Sequence, residues 1–572
     1  MADGLLNKAS IILTPTGYKA GTLYNVAPVV EPYEDFDFAR ASVASRVNSS
    51  GLVEMVGRTL GSELVQNGDF SELGSELVTN GDFATDSDWI KAPSGVTIIG
   101  GSANFNSASD TYVYQDILTA TKTYKIIFSG TINSGSFYIG ENGVATNIYT
   151  SGTYTNEVAY FTVSSSARFI IRKTGVGTLN ASIDNVSVQQ VDPNDYWNLG
   201  TGWSISDGKA ISVGGADFAS LNQEIGATSG NTYKVIFTIT EYTSGQLFLN
   251  IQGSSITYTS TGTYTAYVVS GGSKVYFVSG SGSNQFVGSI DNVSVKEIID
   301  TNNIPRISYD SNGDNGHILL EPTTTNLYLN TDTLSTQNVS TSASDYSVSF
   351  YGTGTITFSG SYSGSLVGTG VNDRVSLTFT ATSGTLTSTV SGSVTNAQIE
   401  NLGYSTSYMP SLSTQGVRAT ETATGAGSAE LINSTEGVLY AEIAALADDG
   451  TNRCIALSDG SVDDRISLIF SAASDIIRVL IKSDGSTSFD EEYEVTSTLD
   501  YHKVAIKYKA NDFALWIDGV ERFTDTSGSA PIGLNQLTFD VGNGILPFYG
   551  KCKALAVFNE ALSDDELNNL TG

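Results

Sequence analysis

Ser182-Ile183-Asp184-Asn185-Val186-Ser187-Val188 returns unchanged as Ser289-Ile290-Asp291-Asn292-Val293-Ser294-Val295, an offset of 291 − 184 = 107 residues. That spacing is about the length of one β-sandwich domain, so the middle of the chain reads as one module used twice. The parallel extends outward. Thr123-Tyr124-Lys125-Ile126-Ile127-Phe128 matches Thr232-Tyr233-Lys234-Val235-Ile236-Phe237, and Gly152-Thr153-Tyr154-Thr155 matches Gly262-Thr263-Tyr264-Thr265. Both runs alternate large apolar with polar residues, the period-2 signature of half-buried strands. A fainter third copy keeps Tyr346-Ser347-Val348-Ser349-Phe350, offset by 346 − 233 = 113, and Asn396-Ala397-Gln398-Ile399-Glu400 stands where its closing strand belongs.

The full chain has 572 residues, 40% hydrophobic, 10% aromatic and only 15% charged. At roughly 100 to 200 residues per domain this predicts three to five domains, and the balance is that of a β-rich folded protein rather than a disordered one. Twenty-eight basic against 59 acidic residues give a net charge of −31. Such a charge repels a phosphate backbone, so nucleic acid is not an expected partner. No apolar run reaches the roughly 20 residues that a membrane-spanning helix needs, and Met1-Ala2-Asp3-Gly4 lacks the basic and apolar regions of a cleaved export signal. Membrane insertion is therefore not expected. Cys454 and Cys552 read as two buried free thiols, and His317 and His502 give histidine chemistry almost no material.

Before the repeats, Ala9-Ser10-Ile11-Ile12-Leu13-Thr14 predicts a strand ending at Pro15-Thr16-Gly17. Asp35-Phe36-Asp37-Phe38-Ala39-Arg40-Ala41 and Arg46-Val47-Asn48-Ser49-Ser50-Gly51-Leu52-Val53-Glu54 follow. This pair resembles a motif of phage and prophage structural proteins. In that family it runs directly into segments of the kind seen here much later, Pro305-Arg306-Ile307-Ser308-Tyr309 and Leu319-Leu320-Glu321-Pro322-Thr323-Thr324-Thr325-Asn326-Leu327. The separation, 304 − 57 = 247, implies that the repeats were inserted in a surface loop and that the two flanks meet in space.

Glu63-Leu64-Val65-Gln66-Asn67-Gly68-Asp69-Phe70 is repeated as Glu76-Leu77-Val78-Thr79-Asn80-Gly81-Asp82-Phe83 only 82 − 69 = 13 residues later. A domain does not fit in that space. One copy is expected to be a vestigial or linker strand, which leaves the second module without an N-G-D-F strand of its own. The order E-L-V-x-N-G-D-F, Trp89, then the closing I-D-N-V-S-V resembles carbohydrate-binding jelly rolls of the CBM4/9-like group. That resemblance implies glycan binding and a structural calcium tying first strand to last, with Asp82 near Asp184 and Asp291 as the second-copy equivalent. Calcium takes six to eight hard oxygen ligands. Sugars are bound by aromatic faces with polar neighbours, and the candidates are Trp89, Tyr112, Tyr114 and Tyr138 in one copy and Trp197, Trp203 and Tyr242 in the other.

Beyond residue 415, Gly437-Val438-Leu439-Tyr440-Ala441-Glu442-Ile443, Tyr501–Tyr508 and Ala514–Val520 predict strands, the last entering an Asp518-Gly519 turn. The end, from Tyr549 through Leu567, resembles the closing strand and short helix of laminin-G-like, concanavalin-type domains, and Ser563 and Glu566 form a capping box. The run Asp490, Glu491, Glu492, Glu494 reads as a solvated loop. No E-x-D-x-x-E strand, nucleophile elbow, phosphate loop or zinc spacing is found, so no catalytic residue is assigned.

The expectation is an all-β chain of serial jelly-roll sandwiches: 1–60 a virion-anchoring segment, 61–190 and 191–300 two sandwiches, 301–414 the rest of the motif with a third, and 415–572 a laminin-G/concanavalin-like domain. The expected role is a non-enzymatic tail or head fibre that binds host-surface glycans. Its expected partners are other virion proteins at the N-terminal region and further copies of itself as a trimer. A bacterial surface adhesin, a polysaccharide depolymerase and plain capsid decoration stand as alternatives.

Overall fold

The computed structural model describes residues 4–28, 34–412 and 414–572; Met1, Ala2 and Asp3, read above for an export signal, lie outside them. Almost every ordered element is a β-strand, and pairing is antiparallel throughout the named ladders. Asp564–Thr571 is the one α-helix among the described residues, far too short to cross a bilayer. The chain divides into two compact units, residues 60–298 and residues 1–59 with 299–572.

The unit of residues 60–298 holds two sandwiches, each a six-stranded sheet packed on a five-stranded one. In sandwich I the larger sheet is built on Thr123–Ser134 between Gly152–Thr162 and the closing strand Leu179–Val191. In sandwich II the same places are taken by Thr232–Ser244, Gly262–Val269 and Val287–Asp300. Alternate residues such as Ile126, Phe128, Val235 and Phe237 are fully buried between the sheets. Burying one such side chain contributes about 1.5–3 kcal/mol, which is why the period-2 pattern fixes the inward face.

The Asp-Asn echo is a β-bulge. The register slips where Ser129 opposes Asp184 and Ile127 opposes Ser187, and again at Thr238/Asp291 and Ile236/Ser294. Asn185 and Asn292 take φ of 52° and 54°, the left-handed region that Asn tolerates best after Gly. The preceding carboxylate fixes the bulge, Asn185 N–H donating to Asp184 Oδ1 and Asn292 N–H to Asp291 Oδ1, both at 2.6 Å. The bulge turns the next amide outward: Val186 N–H donates to Gly81 O at 2.9 Å and Val293 N–H to Gly68 O at 2.8 Å. A Cβ on Gly81 or Gly68 would stand 2.0 or 2.1 Å from those valine carbonyls, so the N-G-D-F glycine is required by close approach.

Those contacts overturn the expectation that one N-G-D-F copy is a linker. The first copy, 63–70, opens sandwich II: Phe70 packs on Trp197 at 5.1 Å, and Glu63 accepts from Ser294 Oγ at 2.6 Å and Val295 N at 2.7 Å. The second, 76–83, opens sandwich I, with Phe83 on Trp89 at 5.0 Å and Glu76 on Ser187 Oγ and Val188 N at 2.5 and 2.9 Å. Sandwich I is therefore inserted in the loop after the opening strand of sandwich II. The ends of the insert lie together, since Asp192 N–H donates to Glu72 O at 3.1 Å.

In the other unit, residues 324–400 form sandwich III from sheets of four and three strands. It has the same grammar. Tyr124, Tyr233 and Tyr346 hydroxyls accept the amides of Thr119, Thr228 and Ser342 at 2.8, 2.8 and 3.0 Å. Asn396 holds φ 47°, and Ala397 N–H donates to Thr331 O at 3.1 Å, as Val186 does to Gly81. Leu327-Tyr328-Leu329-Asn330-Thr331-Asp332 is thus the opening segment, following the strand Thr324–Asn326, with Thr in place of the glycine.

The described residues of 1–59, expected as an anchoring segment, cluster with residues 299–572 in one compact unit. Ala9–Leu13 is buried and pairs with Gly550–Phe558, and Phe36–Ala39 pairs with Thr422–Thr424. The C-terminal sandwich packs an eight-stranded sheet, which takes in Ala9–Leu13, Ile307–Ser308 and His317–Leu320, on a five-stranded one. The flanks of the inserted unit meet: Thr301 N–H donates to Gly57 O at 2.6 Å, and Arg58 forks onto Asp300 with two contacts of 2.8 Å. Arg40, Arg306 and Glu321 join Arg418 and Glu421 in a buried ion cluster. Glu421 accepts from Arg40 Nη1 at 2.6 Å and Arg306 Nε at 2.9 Å, while Glu321 faces Arg306 Nη1 at 2.8 Å and Arg418 Nη1 at 3.1 Å. All three arginines have no exposed surface.

The acidic run is a strand, Ser486–Glu494, at the edge of the five-stranded sheet. Phe489 points to the core, and Asp490 accepts both arms of Arg478 at 2.7 Å. Charge on an edge strand discourages pairing with another chain, which gives the acidic run a role within regular structure. Asp518 and Gly519, with φ of 50° and 76°, make the predicted hairpin turn, and Ser563 N–H donates to Glu566 Oε2 at 2.9 Å as the helix begins. Cys454 and Cys552 are buried and free.

Candidate functional site

Each of the two complete repeats turns the outer side of its five-stranded sheet away from the core. In sandwich I, Val113 and Ile171 point inward with no exposed surface, so Tyr112, Tyr114, Ile170 and Arg172 point outward. Cross-strand register sets Tyr138, Arg172 and Tyr112 in one row and Ile170, Tyr114 and Ile90 in the next. Three of the four candidates in this copy thus share one face. The rings are not free platforms. The Arg168 guanidinium lies 3.6 Å over Tyr114, and Tyr138 is 5% exposed. Arg172 grips Asp110 through two contacts of 2.9 and 2.7 Å, and this pairing holds the Asp110 carboxyl below the usual carboxylate range. Arg168 pairs with Asp116 at 3.0 Å. The face offers guanidinium donors, carboxylate acceptors and the half-exposed Ile90.

Sandwich II presents the equivalent face with different chemistry. Gln115 and Gln223 anchor the alignment, because each exchanges two hydrogen bonds with the backbone of its opening strand, at Thr79 and Gln66. Asn222 therefore stands where Tyr114 does. Its row crosses four strands as Asn198, Asn222, Tyr276 and Asn250, every member at least partly exposed. Asn222 Nδ2 reaches Ser220 Oγ at 3.3 Å and Asn250 Nδ2 reaches Ser255 Oγ at 3.3 Å, weak bonds at a solvated surface. Among the described residues no cation or second ring stacks on Tyr276. An open aromatic ring between amide side chains is what a pyranose requires, with C–H bonds on the ring and hydroxyls paired at its rim. Composition gave no hint of these residues. They could have been found only by projecting Tyr112-x-Tyr114 onto the second repeat.

The remaining candidates are structural. Trp89, Trp197 and Trp203 are 6%, 4% and 6% exposed, and their indole N–H groups donate to Asn80 O, Asn67 O and Ala219 O. An indole that pins the N-G-D-F turn from inside the sandwich cannot also carry a sugar. Tyr242 is partly buried beside Phe286, its hydroxyl spent on Gly245 O at 2.9 Å.

The three expected calcium ligands are engaged locally. Asp184 and Asp291 direct both carboxylate oxygens at the following asparagine, and Asp82 caps its own turn through Ala84 N at 3.2 Å. Among the described residues no three His, Cys, Asp or Glu side chains gather as a metal-holding group.

No family model and no curated protein matches the chain. Among solved structures it is similar to the CBM40 of Ruminococcus gnavus IT-sialidase bound to α2,3 sialyllactose, with TM-score 0.22 and 19% identity over 25% of this chain and 86% of that one. It is also similar to domain 4 of AbnA, a GH43 extracellular arabinanase from Geobacillus stearothermophilus in complex with arabinotriose, with TM-score 0.22 and 13% identity over 27% and 73% of the two chains. A third is the NanB sialidase from Streptococcus pneumoniae, with TM-score 0.22 and 15% identity over 25% of each chain. Each likeness spans about a quarter of this chain, and the functional reading rests on the chain's own residues.

Proposed function

We propose that this protein is a non-enzymatic glycan-binding appendage of a virus particle, a tail or head fibre or decoration whose sandwiches contact host-surface glycans. The row Asn198, Asn222, Tyr276 and Asn250 carries the glycan reading, because it places one open aromatic ring among amide groups on an outward sheet face. The virion reading is supported by the resemblance of the Arg40, Arg306 and Glu321 segments to phage structural proteins. Repetition on a particle raises avidity, so that shallow faces of modest affinity suffice. The particle-binding surface would belong to the unit of residues 1–59 and 299–572, which holds the segments that resemble phage structural proteins. Trimerisation is proposed by analogy with fibres.

The test is binding of the full chain to a mixed glycan array. Tyr276→Ala is expected to weaken the best glycan about tenfold, as loss of a central aromatic anchor does, with the melting temperature unchanged. No glycan bound by the native chain, or equal binding by the variant, would sink this reading. Reducing ends released from host capsule or lipopolysaccharide would turn it into a depolymerase. Glycan binding by a protein that never copurifies with particles would favour the adhesin.

A further inference from the structure

In the unit of residues 1–59 and 299–572, a cavity of about 350 Å³ opens where sandwich III meets the C-terminal sandwich. Sandwich III contributes Arg374 and the following segment Ser405; the C-terminal sandwich contributes His317, Tyr501 and Lys551; Arg46 comes from the N-terminal strand pair. For a chain of net charge −31 this wall is anomalous.

The carboxylates that reach the cavity are already committed. Glu321 is bound by Arg306 and Arg418, at 2.8 and 3.1 Å. Asp310 accepts from Asn312 N, Asp314 N and Asn315 Nδ2 at 2.9, 2.9 and 2.7 Å, all within its own loop. The cavity's Arg46 is in turn paired with Glu54, which lies outside the lining, at 2.7 Å. Among the described residues, that leaves Arg374 and Lys551 with no carboxylate within ion-pair distance. The buried cluster behind Glu321 adds a surplus, since three arginines against two glutamates give 3 − 2 = +1.

Donors are also in excess. Arg374 is fixed by neutral acceptors, Nη2 donating to Ser349 Oγ at 2.7 Å and Thr406 O at 2.6 Å. Its Nε, Ser405 Oγ and Tyr501 Oη are buried with no hydrogen-bond partner. An unpaired buried donor costs free energy, and an unpaired cation costs more. His317 does not add charge at neutral pH, because burial pulls its pKa down to about 4 while Nδ1 bonds Asn315 O. A neutral sugar would leave the charge uncompensated, and a cation would be repelled.

We propose that this cavity binds a compact oxyanion, a carboxylate or phosphate group, between Arg374 and Lys551. The site is separate from the sheet face of sandwich II and does not depend on it. The two sources of such a group are an acidic sugar and free phosphate. Titration calorimetry of the full chain at low ionic strength, with D-glucuronate, inorganic phosphate and D-glucose as probes, separates them. At least one of the two anions is expected to bind at millimolar concentration or below, weakening with added salt, while glucose gives no heat. Glucuronate alone would assign an acidic sugar, and phosphate alone or both would assign the oxyanion itself. Lys551→Gln and Arg374→Gln are each expected to weaken binding roughly tenfold or more, as loss of a charge-assisted hydrogen bond does. The ligand-free melting temperature of Lys551→Gln should stay or rise, because an uncompensated cation has been removed; a purely structural lysine would lower it. Tyr276→Ala should leave anion binding intact. No heat from either anion, or binding that survives both substitutions, would overturn the proposal.

Discussion

Asn185 and Asn292 show how one residue type decides a local structure. Each sits at positive φ inside a closing strand, and the preceding aspartate is consumed in holding it there. Only Gly, and after it Asn and Asp, accept that region cheaply. Asn292→Ala should therefore cost sandwich II about 1–2 kcal/mol while Asn292→Gly costs little, a contrast that urea unfolding of the two variants will measure. The buried glutamates make a second residue-scale case. Burial disfavours the charge on Glu321, yet Arg418 and Arg306 overcome that and hold its pKa at about 2. A carboxyl whose pKa is depressed by folding stabilises the fold above its ordinary value, and this contribution is lost as pH falls from about 4.5 to about 2. The unit of residues 1–59 and 299–572 should lose melting temperature across that window, and Glu321→Gln should flatten the slope. Glu421→Gln strips Arg40 and Arg306 of their shared partner, and should cost about 3–5 kcal/mol by calorimetry, the range for breaking a buried ion pair from one side.

Among the elements, the opening strands carry the most information for their length. Glu63–Phe70 and Glu76–Phe83 are near-identical neighbours in sequence but members of different sandwiches, because each must pair with the closing strand that lies against it. Proximity in sequence pointed to duplication of one strand, whereas backbone pairing assigns one to each repeat. Joining Glu72 directly to Asp192, whose backbones already touch at 3.1 Å, should remove sandwich I and leave sandwich II folded, with Trp197 still protected from quencher. Deleting 63–70 instead should unfold sandwich II, because Trp197, Phe70 and Val293 lose their shared packing. Equal behaviour of the two deletions in a fluorescence-quenching assay would refute the nested arrangement. Strand alternation and turns were legible at Ala9–Leu13, Glu436–Ala445, His502–Lys509 and the Asp518-Gly519 hairpin, which lie where periodicity and turn chemistry place them, but not at Ser486–Glu494, where charge hid an edge strand.

At the scale of the molecule, one unit is continuous in sequence, residues 60–298, and the other is assembled from the two segments that flank it, residues 1–59 and 299–572. Gly57 meets Thr301 and Arg58 meets Asp300, so the chain leaves and re-enters the unit of residues 1–59 and 299–572 at one point. A chain with Thr59 joined to Ile299 should fold as one cooperative unit, whereas residues 415–572 alone should aggregate, lacking Ala9–Leu13 and His317–Leu320 against Gly550–Phe558. Size-exclusion chromatography and far-ultraviolet circular dichroism of the two fragments give the comparison.

The sequence by itself determined the class of fold, because period-2 alternation and turn residues are local and written in order. Only the tertiary structure decided which N-G-D-F strand belongs to which sandwich, that Trp89, Trp197 and Trp203 are core, and that Arg40, Arg306, Arg418, Glu321 and Glu421 meet in one buried cluster. It also decided that Tyr276 stands among asparagines. These depend on pairing and burial between residues far apart in the chain, where side-chain type alone cannot tell an inward face from an outward one. The Ile-Asp-Asn-Val-Ser-Val echo belongs to both levels: its repetition is sequence, and its bulge, in which each aspartate holds the following asparagine, is structure.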